Sequence, residues 1–288
     1  MILAQTVNRW RIALSGLAAA LMLTVLIGTP QGRTATAQFL AQFRSQRFAV
    51  VTIDDPSQGK QGLEQLEHLG TIQGGYRGKS GQQVQTIAEA SRLVGFEVKQ
   101  PAPATLPAGL EKTPRILVVP ASELRFTFDR DKARSYFQSI GHPEVGLPDK
   151  FHGAALVMWV PSAVLLQYDG ADDSPGLLIG QSQELAVDVE GNVSFDELRD
   201  FLLKLPGLPP ETVRQLREIK DWRNTLPIPV PANQIQWRQA TIAGGQGLIL
   251  ADNSGIGSAA IWQRDGRVYG VAGTVKATEI QRVADSLR

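Results

Sequence analysis

The most constraining feature of this sequence is an uncharged run of eighteen residues, Ile12 to Thr29, close to its N-terminus. As a helix rising about 1.5 Å per residue, the run would be roughly 27 Å long, close to the hydrocarbon thickness of a bilayer. Arg9 and Arg11 precede the run and Pro30 follows it, so the positive-inside tendency predicts a short cytoplasmic tail of residues 1–11. We therefore expect one transmembrane helix at 12–29, with the rest of the chain outside the cytoplasm.

The same segment also fits a secretory signal peptide. A basic start, an apolar run and the small-residue pattern Ala35-Thr36-Ala37 are the three parts of such a signal. Cleavage after Ala37 would release the chain with Gln38 as its new N-terminus. The run is longer than the usual apolar core of about 7–15 residues, which favours the anchor. In both interpretations residues 37–288 form an extracytoplasmic region.

The composition of the whole chain is that of an ordinary folded protein. Of its 288 residues, 43% are hydrophobic and 20% are charged, which is typical of a chain that forms a core. The formal net charge of +1 argues against a broad basic surface for nucleic acid. Cysteine is absent, which excludes disulfides, thiolate nucleophiles and Cys-type zinc sites.

Short β-branched and aromatic runs alternate with amphipathic stretches, which predicts an α+β fold. We expect a mainly antiparallel sheet built from hairpins, with interspersed amphipathic helices. The predicted hairpins turn at Pro161-Ser162 and at Asp265-Gly266, the latter a favoured two-residue turn. The proline-rich connection before Ile116 places a boundary between two subdomains near 105–115. The predicted strands are 48–53, 69–72, 116–120, 123–128, 154–160, 163–168, 177–182, 185–189, 237–242, 247–251, 259–263 and 268–272.

Helix-terminal residues locate the helices. Gly95 is placed to cap the end of a helix that contains Val84 to Val94, and Asp129 is placed to cap the start of the next helix. Ser194 to Glu197 is a capping box, in which Ser and Glu side chains each accept from the other residue's backbone N–H. Pro209-Pro210 suits a first helical turn. A last amphipathic helix closes the chain.

Two glycine-rich stretches approach phosphate-binding patterns without completing them. Gln73 to Ser80 has Gln73 where a Walker A loop needs its first glycine, and Gly81 follows where a helix should begin. Gly255 to Ala260 fits the G-x-G-x-x-A pattern of dinucleotide sites, but strand-like residues follow it instead of a helix. We predict a surface loop at each place.

Other common catalytic patterns are missing from the sequence. The three histidines lack the paired spacing of a metal site, and no G-x-S-x-G elbow is present. Neighbouring carboxylates occur where turns or helix starts use them for capping, at Asp54-Asp55, Asp129/Asp131 and Asp172-Asp173. We therefore predict no catalytic, cofactor-binding or metal-binding residue, His68, His142 and His152 included, and a protein that is not an enzyme.

Five aromatic residues admit two interpretations. They could line a binding groove, or they could pack in the core because most of them lie within predicted strands. The strand positions favour core packing. The residues are Trp159, Trp222, Trp237, Trp262 and Tyr269.

Two stretches carry a resemblance to a known family. Ala259 to Gly273, with the sequence AAIWQRDGRVYGVAG, and the following Ile280 to Leu287 resemble the closing hairpin and helix of an uncharacterised bacterial extracytoplasmic domain. The apolar span followed by Phe39 to Arg44 and a strand is also similar. That domain often forms the outer, C-terminal part of transmembrane anti-sigma factors and of lipoprotein-sorting-like proteins. The shared motifs are structural, so the resemblance implies no catalytic residues.

One departure from that family concerns the cytoplasmic side. Membrane-spanning anti-sigma factors hold their sigma factor with a cytoplasmic domain, often a zinc-binding one with His and Cys. Only eleven residues precede the span here, and cysteine is absent. We expect either that a separate chain supplies the cytoplasmic half, or that the start codon lies further upstream.

These observations lead to two main functional hypotheses. The first is a non-enzymatic, membrane-anchored sensor or regulator of anti-sigma-factor type, which binds a protein or an envelope ligand. The alternative is a secreted or periplasmic carrier or chaperone for lipid or lipoprotein, and an exported enzyme of unrecognised type is third. A large apolar concavity would favour the carrier and a closed, Trp-filled core the regulator, whereas a cleft of convergent titratable groups would favour the enzyme.

Overall fold

The computed structural model describes residues 43–54, 65–75, 81–170 and 176–287. The predicted span Ile12 to Thr29 and the cleavage pattern at Ala35 to Ala37 lie outside these residues. Within the described ranges, no helix is both long enough and apolar enough to cross a membrane.

The described part of the chain is α+β, and its strands pair mostly antiparallel, as predicted. Residues 65–69 form a short helical segment before β3, and 3-10 turns occur at Pro103–Thr105 and Asp149–Phe151. The strands are β1 (Phe43–Arg44), β2 (Arg47–Ile53), β3 (Gly70–Gly74), β4 (Gln82–Val84), β5 (Arg115–Val119), β6 (Ser122–Phe128), β7 (Ala155–Val160), β8 (Ala163–Tyr168), β9 (Leu177–Gln183), β10 (Ala186–Glu190), β11 (Thr225–Pro231), β12 (Ile235–Ile242), β13 (Gly245–Asp252), β14 (Ser258–Arg264) and β15 (Arg267–Gly273). The helices are α1 (Ile87–Val94), α2 (Arg130–Ser139), α3 (Phe195–Leu202), α4 (Pro210–Glu218) and α5 (Ala277–Asp285).

The strands form three sheets. An eight-stranded sheet has the order β12-β13-β14-β15-β9-β8-β5-β4, and a five-stranded sheet has the order β1-β10-β7-β6-β3. The third sheet is the parallel pair β11-β2, in which Thr225 lies opposite Arg47 and Pro231 opposite Ile53. Every other pairing between described strands is antiparallel.

The two large sheets share three stretches of chain that run from one into the other. Strand β5 continues into β6, β7 into β8 and β9 into β10, with only two residues at each crossing. Pro161-Ser162 lies at one of these crossings, and the strands on either side of it belong to different sheets. The predicted hairpin there is therefore wrong: β7 pairs with β6 and β10, and β8 pairs with β5 and β9. A proline between two strands fits a bend that leads from one sheet into another as well as it fits the turn of a hairpin.

The predicted boundary near 105–115 does not separate the sheets. Strands β4 and β5 lie on either side of it and pair with each other, Val84 opposite Ile116. Because backbone hydrogen bonds join the two sides, the described chain does not divide into subdomains at this position.

Both faces of the eight-stranded sheet are covered over its centre. Helices α1 and α5 pack on one face, where Ile280 and Val283 are fully buried against Ile249 and Trp262. The β2-β11 pair covers part of the other face through Ile228 and its neighbours. A strand buried on both faces reads as a continuous apolar run rather than an alternating one, which is what β13 shows in GLILA.

A second core lies on the five-stranded sheet. Helices α2 and α3 cover one face of this sheet, with Phe137 and Leu198 buried against Phe126 and Phe128. The rings of Phe126, Phe128 and Phe151 meet edge to face, with centroids 4.8 and 5.8 Å apart. Such aromatic pairs stabilise a core beyond the effect of the area they bury.

The predicted local signals at helix ends and at the last turn are confirmed. Gly95 ends α1 with a φ of 75°, and its N–H donates to the Ser91 carbonyl. Asp129 caps α2, and the Ser194-Glu197 capping box opens α3. Asp265 and Gly266 join β14 to β15 with φ of 51° and 71°, the two positive values that a type I′ turn requires. A second turn of the same kind, Ala243-Gly244, joins β12 to β13 and was not predicted.

One buried glutamine attaches the segment after α1 to the eight-stranded sheet. Gln181, in β9, is 1% exposed. Its Oε1 accepts from the Lys99 N–H at 2.8 Å, and its Nε2 donates to the Lys99 carbonyl at 2.6 Å. The side chain therefore satisfies both backbone groups of one residue, as a neighbouring strand would.

We predict that Gln181→Met destabilises the protein by about 1–3 kcal/mol, because methionine has a similar volume but leaves two half-buried backbone groups without partners. Thermal unfolding of the full chain in nonionic detergent, followed by circular dichroism, should show a melting temperature several degrees lower. The matched control is Gln183→Met, an exposed position on the same strand, which should leave the melting temperature unchanged. Equal melting temperatures for the two variants would contradict this role.

Candidate functional site

The three histidines lie in separate structural settings. His68 stacks on Tyr136 with ring centroids 4.8 Å apart. His142 Nδ1 lies 3.1 Å from Glu144 Oε1, and His152 Nδ1 accepts from the Arg130 N–H at 3.2 Å. In the described ranges no group of three or more His, Asp or Glu side chains is placed to hold a metal ion.

The structure describes one of the two glycine-rich stretches in full and only the beginning of the other. Gly255 to Ala260 leads into β14, a strand, as predicted, and no helix N-terminus follows it. Asp252 holds this loop, because its Oδ1 accepts from Ser254 Oγ at 2.6 Å and from the Ile256 N–H at 3.3 Å. Gln73 and Gly74 end β3, whereas residues 76–80 lie outside the described part of the chain.

The paired carboxylates that the structure describes act in capping and ion pairs. Asp129 Oδ1 accepts from the Asp131 and Lys132 N–H groups at 2.9 and 3.1 Å. The Lys132 N–H is the main cause of its lowered pKa. Asp131 lies near two arginines of the same helix. Asp55 and the Asp172-Asp173 pair lie outside the described residues.

The aromatic residues divide between core and surface. Trp262 and Tyr269 stack with centroids 5.3 Å apart and are 1% and 6% exposed, and Trp159 is also buried. For these three, the predicted core packing is confirmed. Trp237 is 42% exposed on β12, so the core interpretation is wrong for this residue. Trp222 is half-buried after α4, and its Nε1 donates to the Leu216 carbonyl at 3.1 Å.

A cleft of about 450 Å³ lies between the C-terminal ends of α3 and α4, and we call it the cationic cleft. The size is within the range of small-ligand sites, about 300–1,000 Å³. Four cationic side chains and one carboxylate line it, together with three apolar residues. The lining residues are Arg199, Asp200, Leu203, Lys204, Arg217, Ile219, Lys220 and Trp222.

The charges of the cationic cleft are only partly neutralised. Arg199 bonds to Asp200 at 2.7 Å and to Asp196 at 3.2 Å. Lys204, Arg217 and Lys220 are exposed and form no ion pair with another residue of the described ranges. All three lie at or just after the C-terminal ends of the two helices, where positive charge is favourable.

The lining of the cleft also has an apolar part. Leu203 is buried, whereas Ile219 and Trp222 are half-buried. The bond from the Trp222 indole to the last turn of α4 holds the ring at the cleft wall. A ligand with an anionic group and an apolar or planar part would match this lining.

Sequence reasoning missed the cationic cleft. Its residues come from two stretches, 199–204 and 217–222, and each is an ordinary end of an amphipathic helix. The only signal available was the excess of Lys and Arg after the apolar faces of both helices. Charges at helix ends are common for structural reasons, so this signal does not identify a site unless the ends of α3 and α4 are known to line one cleft.

The opposite end of α3 is held by an unusually acidic glutamate. Glu197 accepts from the Ser194 N–H at 2.9 Å and pairs with Lys150 of the 3-10 turn before β7. The Lys150 ammonium and then the Ser194 groups lower the pKa of Glu197 from 4.5 to about 2. This ion pair joins α3 to the five-stranded sheet and so orients the helix whose other end forms the cleft.

We predict that Glu197→Gln lowers stability near neutral pH and has progressively less effect in acid. A carboxylate with a lowered pKa stabilises the fold fully above its ordinary value of about 4.5, and this contribution is lost as the pH falls towards 2. Melting temperatures measured from pH 7 to pH 2 should therefore converge for wild type and variant. Glu111→Gln, at an exposed position, is the control and should show no such convergence. A constant difference across the range would contradict the assignment.

No protein-family model, no curated protein and no solved structure matches this chain. The family resemblance of its C-terminal hairpin and helix therefore stays a prediction.

Proposed function

We propose that this chain is a non-enzymatic, membrane-anchored extracytoplasmic domain of sensor or anti-sigma-factor type, which binds an anionic envelope ligand or the acidic surface of a protein. The observation that carries the binding role is the cationic cleft, in which three cations without an ion-pair partner among the described residues lie beside Trp222. The regulatory role and the membrane anchor rest on the sequence, through the family resemblance and the uncharged run at 12–29.

The cleft chemistry favours binding over catalysis. A general acid or base must lie within hydrogen-bond reach of the substrate and be free to exchange a proton. The carboxylate of the cleft, Asp200, is bonded to Arg199 at 2.7 Å. Among the described lining residues there is neither a hydroxyl nor an imidazole that could serve as a nucleophile or proton carrier. This lining therefore favours holding an anion over transforming it.

The core of the eight-stranded sheet favours the regulator over the lipid carrier. A carrier needs an apolar concavity of several hundred cubic ångströms to enclose an acyl chain. The space between this sheet and helix α5 is filled by Trp262, Tyr269 and Ile280, which are at most 6% exposed. Side chains thus occupy the volume that a carrier of this architecture would leave for its ligand.

We predict that the cationic cleft binds a phosphate-bearing probe and that Lys204→Glu combined with Arg217→Glu weakens this binding by about tenfold or more. Each charge-assisted hydrogen bond contributes about 1.5–3 kcal/mol, and 1.4 kcal/mol corresponds to a factor of ten. Isothermal titration of the full chain in nonionic detergent with short-chain phosphatidylglycerol measures the change.

Two comparisons make this titration decisive. Lys112→Glu, a charge reversal at an exposed lysine outside the cleft, should bind as wild type does. Short-chain phosphatidylcholine, which carries no net charge, should bind weakly to all variants. Absence of binding by wild type, or equal loss in the Lys112→Glu variant, would overturn the assignment of the cleft.

We predict that the mature protein keeps its N-terminal segment and remains in the membrane fraction after alkaline washing, because the uncharged run exceeds the usual length of a signal peptide core. N-terminal sequencing of the protein from its native membrane is the measurement. A mature start at Gln38 would show cleavage and would replace the anchored form by a secreted one.

The anti-sigma assignment has a separate test in the same cells. A gene for a sigma factor or another regulatory protein is expected beside this one, as the family resemblance of the C-terminal hairpin and helix implies. If no such gene adjoins it and pull-downs from membranes return no regulatory partner, the regulatory role fails while binding in the cleft still stands.

A further inference from the structure

At one edge of the eight-stranded sheet, no other strand of the described ranges pairs with the outermost strand. Strand β12 is the last strand of this sheet and spans eight residues, Ile235–Ile242. Gln236 to Gln239 are all exposed, and Trp237, at 42% exposure, is among the few large hydrophobic side chains on the described surface. Exposed edge strands pair readily with another chain, so proteins normally block them.

The turn at Ala243-Gly244 determines which backbone groups face outward. In a two-residue hairpin the residues that flank the turn, Ile242 and Gly245, form a hydrogen-bonded pair. Hydrogen-bonded and non-hydrogen-bonded pairs then alternate along the ladder. Trp237, Gln239 and Thr241 fall in the non-hydrogen-bonded pairs, so their N–H and C=O groups point away from β13. Within the described part of the chain, nothing bonds to these groups.

The edges of the small parallel sheet are protected. Strand β11 carries proline at alternate positions, Pro227, Pro229 and Pro231, and proline offers no N–H to a further strand. On β2, the outward N–H of Thr52 donates to Gln215 Oε1 of α4 at 2.8 Å.

The remaining edges of the two large sheets are short or covered. Strands β4 and β1 have three and two residues. On β3, Lys132 Nζ bonds to the Gly70 carbonyl at 3.1 Å and to Thr71 Oγ1 at 3.2 Å. Strand β12 is therefore the long edge without such protection among the described strands.

We propose that β12 pairs antiparallel with β12 of a second copy of this chain, around a two-fold axis at Gln239. Outward-facing residues must meet outward-facing residues, so Trp237, Gln239 and Thr241 pair among themselves. With the axis at Gln239, this residue faces its own copy and Trp237 lies opposite Thr241. The eight-stranded sheets of the two copies then form one continuous sheet.

Charge disfavours the adjacent register, in which the two-fold axis would lie at Arg238. An axis at Arg238 would place two arginines directly opposite each other, which destabilises a strand pair. The axis at Gln239 places Arg238 opposite Ala240 instead. The Arg238 guanidinium is also held by Gln281 of α5 at 2.6 Å, on the other face from Trp237. Pairs of an aromatic with a β-branched residue, such as Trp237 with Thr241, stabilise antiparallel strands.

Single cysteines test this register directly, because the natural chain contains none. Directly opposite residues of a hydrogen-bonded pair have Cα atoms about 5.5 Å apart, within the range of a disulfide. Gln239→Cys in the full chain, oxidised in native membranes with copper phenanthroline, should give a disulfide-linked dimer on non-reducing gels. Gln82→Cys, an exposed glutamine on the opposite edge strand β4, is the matched control and should stay monomeric.

Two further variants distinguish this register from random collision. The Trp237 positions of the two copies would be about 14 Å apart, four residues along the strand, so Trp237→Cys alone should not cross-link. Co-expression of Trp237→Cys with Thr241→Cys should give the dimer, because these positions face each other. Equal cross-linking at 239 and 82, or none at 239, would overturn the proposal. An adduct of 239 with another protein would show a different occupant and overturn it as well.

A charge swap provides a test in solution. Gln239→Lys and Gln239→Glu each place like charges across the axis, so each variant should be monomeric by light scattering in nonionic detergent, whereas wild type is dimeric. Mixing the two variants should restore the dimer, since lysine then faces glutamate. Circular dichroism melting curves confirm that both are folded. The proposal is independent of the cationic cleft, and failure of the mixture to associate would overturn it without affecting ligand binding.

Discussion

The structure depends on three stretches of chain that run directly from one large sheet into the other. Each crossing from β5 to β6, from β7 to β8 and from β9 to β10 takes two residues, so neither large sheet can move without bending the other. The first two crossings lie side by side. Val119 of β5 is opposite Ala163 of β8 on one side of the bend, and Ser122 of β6 is opposite Val160 of β7 on the other side. At the third crossing the Leu185 backbone bonds in both directions to Ser45, which is 1% exposed. The two cores are therefore coupled through continuous backbone rather than through a flexible linker.

This coupling explains where the surface features arise. The chain leaves the five-stranded sheet after β10, forms α3 and α4, and returns as β11 against the eight-stranded sheet. Helices α3 and α4 thus come between strands of two different sheets in the chain order. The cationic cleft lies between the C-terminal ends of these two helices. The edge at β12 has a different origin, because β12 to β15 form successive hairpins and β15 pairs with β9, which leaves β12 outermost. The proposed binding of an anion and the proposed pairing with a second copy thus use separate parts of the fold.

Stability and function draw on different interactions in this protein. Its many surface ion pairs, such as the bidentate contact of Arg125 with Glu190 at 2.7 and 2.9 Å, each contribute little because water screens them. Buried side chains and the polar contacts that connect segments stabilise the fold, Gln181 with Lys99 being the clearest case. In the proposed function, the cleft cations that pair with no described residue are instead available to an anionic ligand.

Short-range signals in the sequence determined the local structure, and only tertiary structure decided the rest. Capping at Ser194 and the turn at Asp265-Gly266 depend on neighbours within a few residues, so both were predictable. Pro161-Ser162 carries the same local signal whether the strands pair or separate, because pairing depends on distant partners. Trp237 and Trp262 both lie in strands, yet one is at an edge and the other at the centre of the sheet. The cationic cleft was unpredictable for the same reason: only the tertiary structure brings the C-terminal ends of α3 and α4 to one cleft.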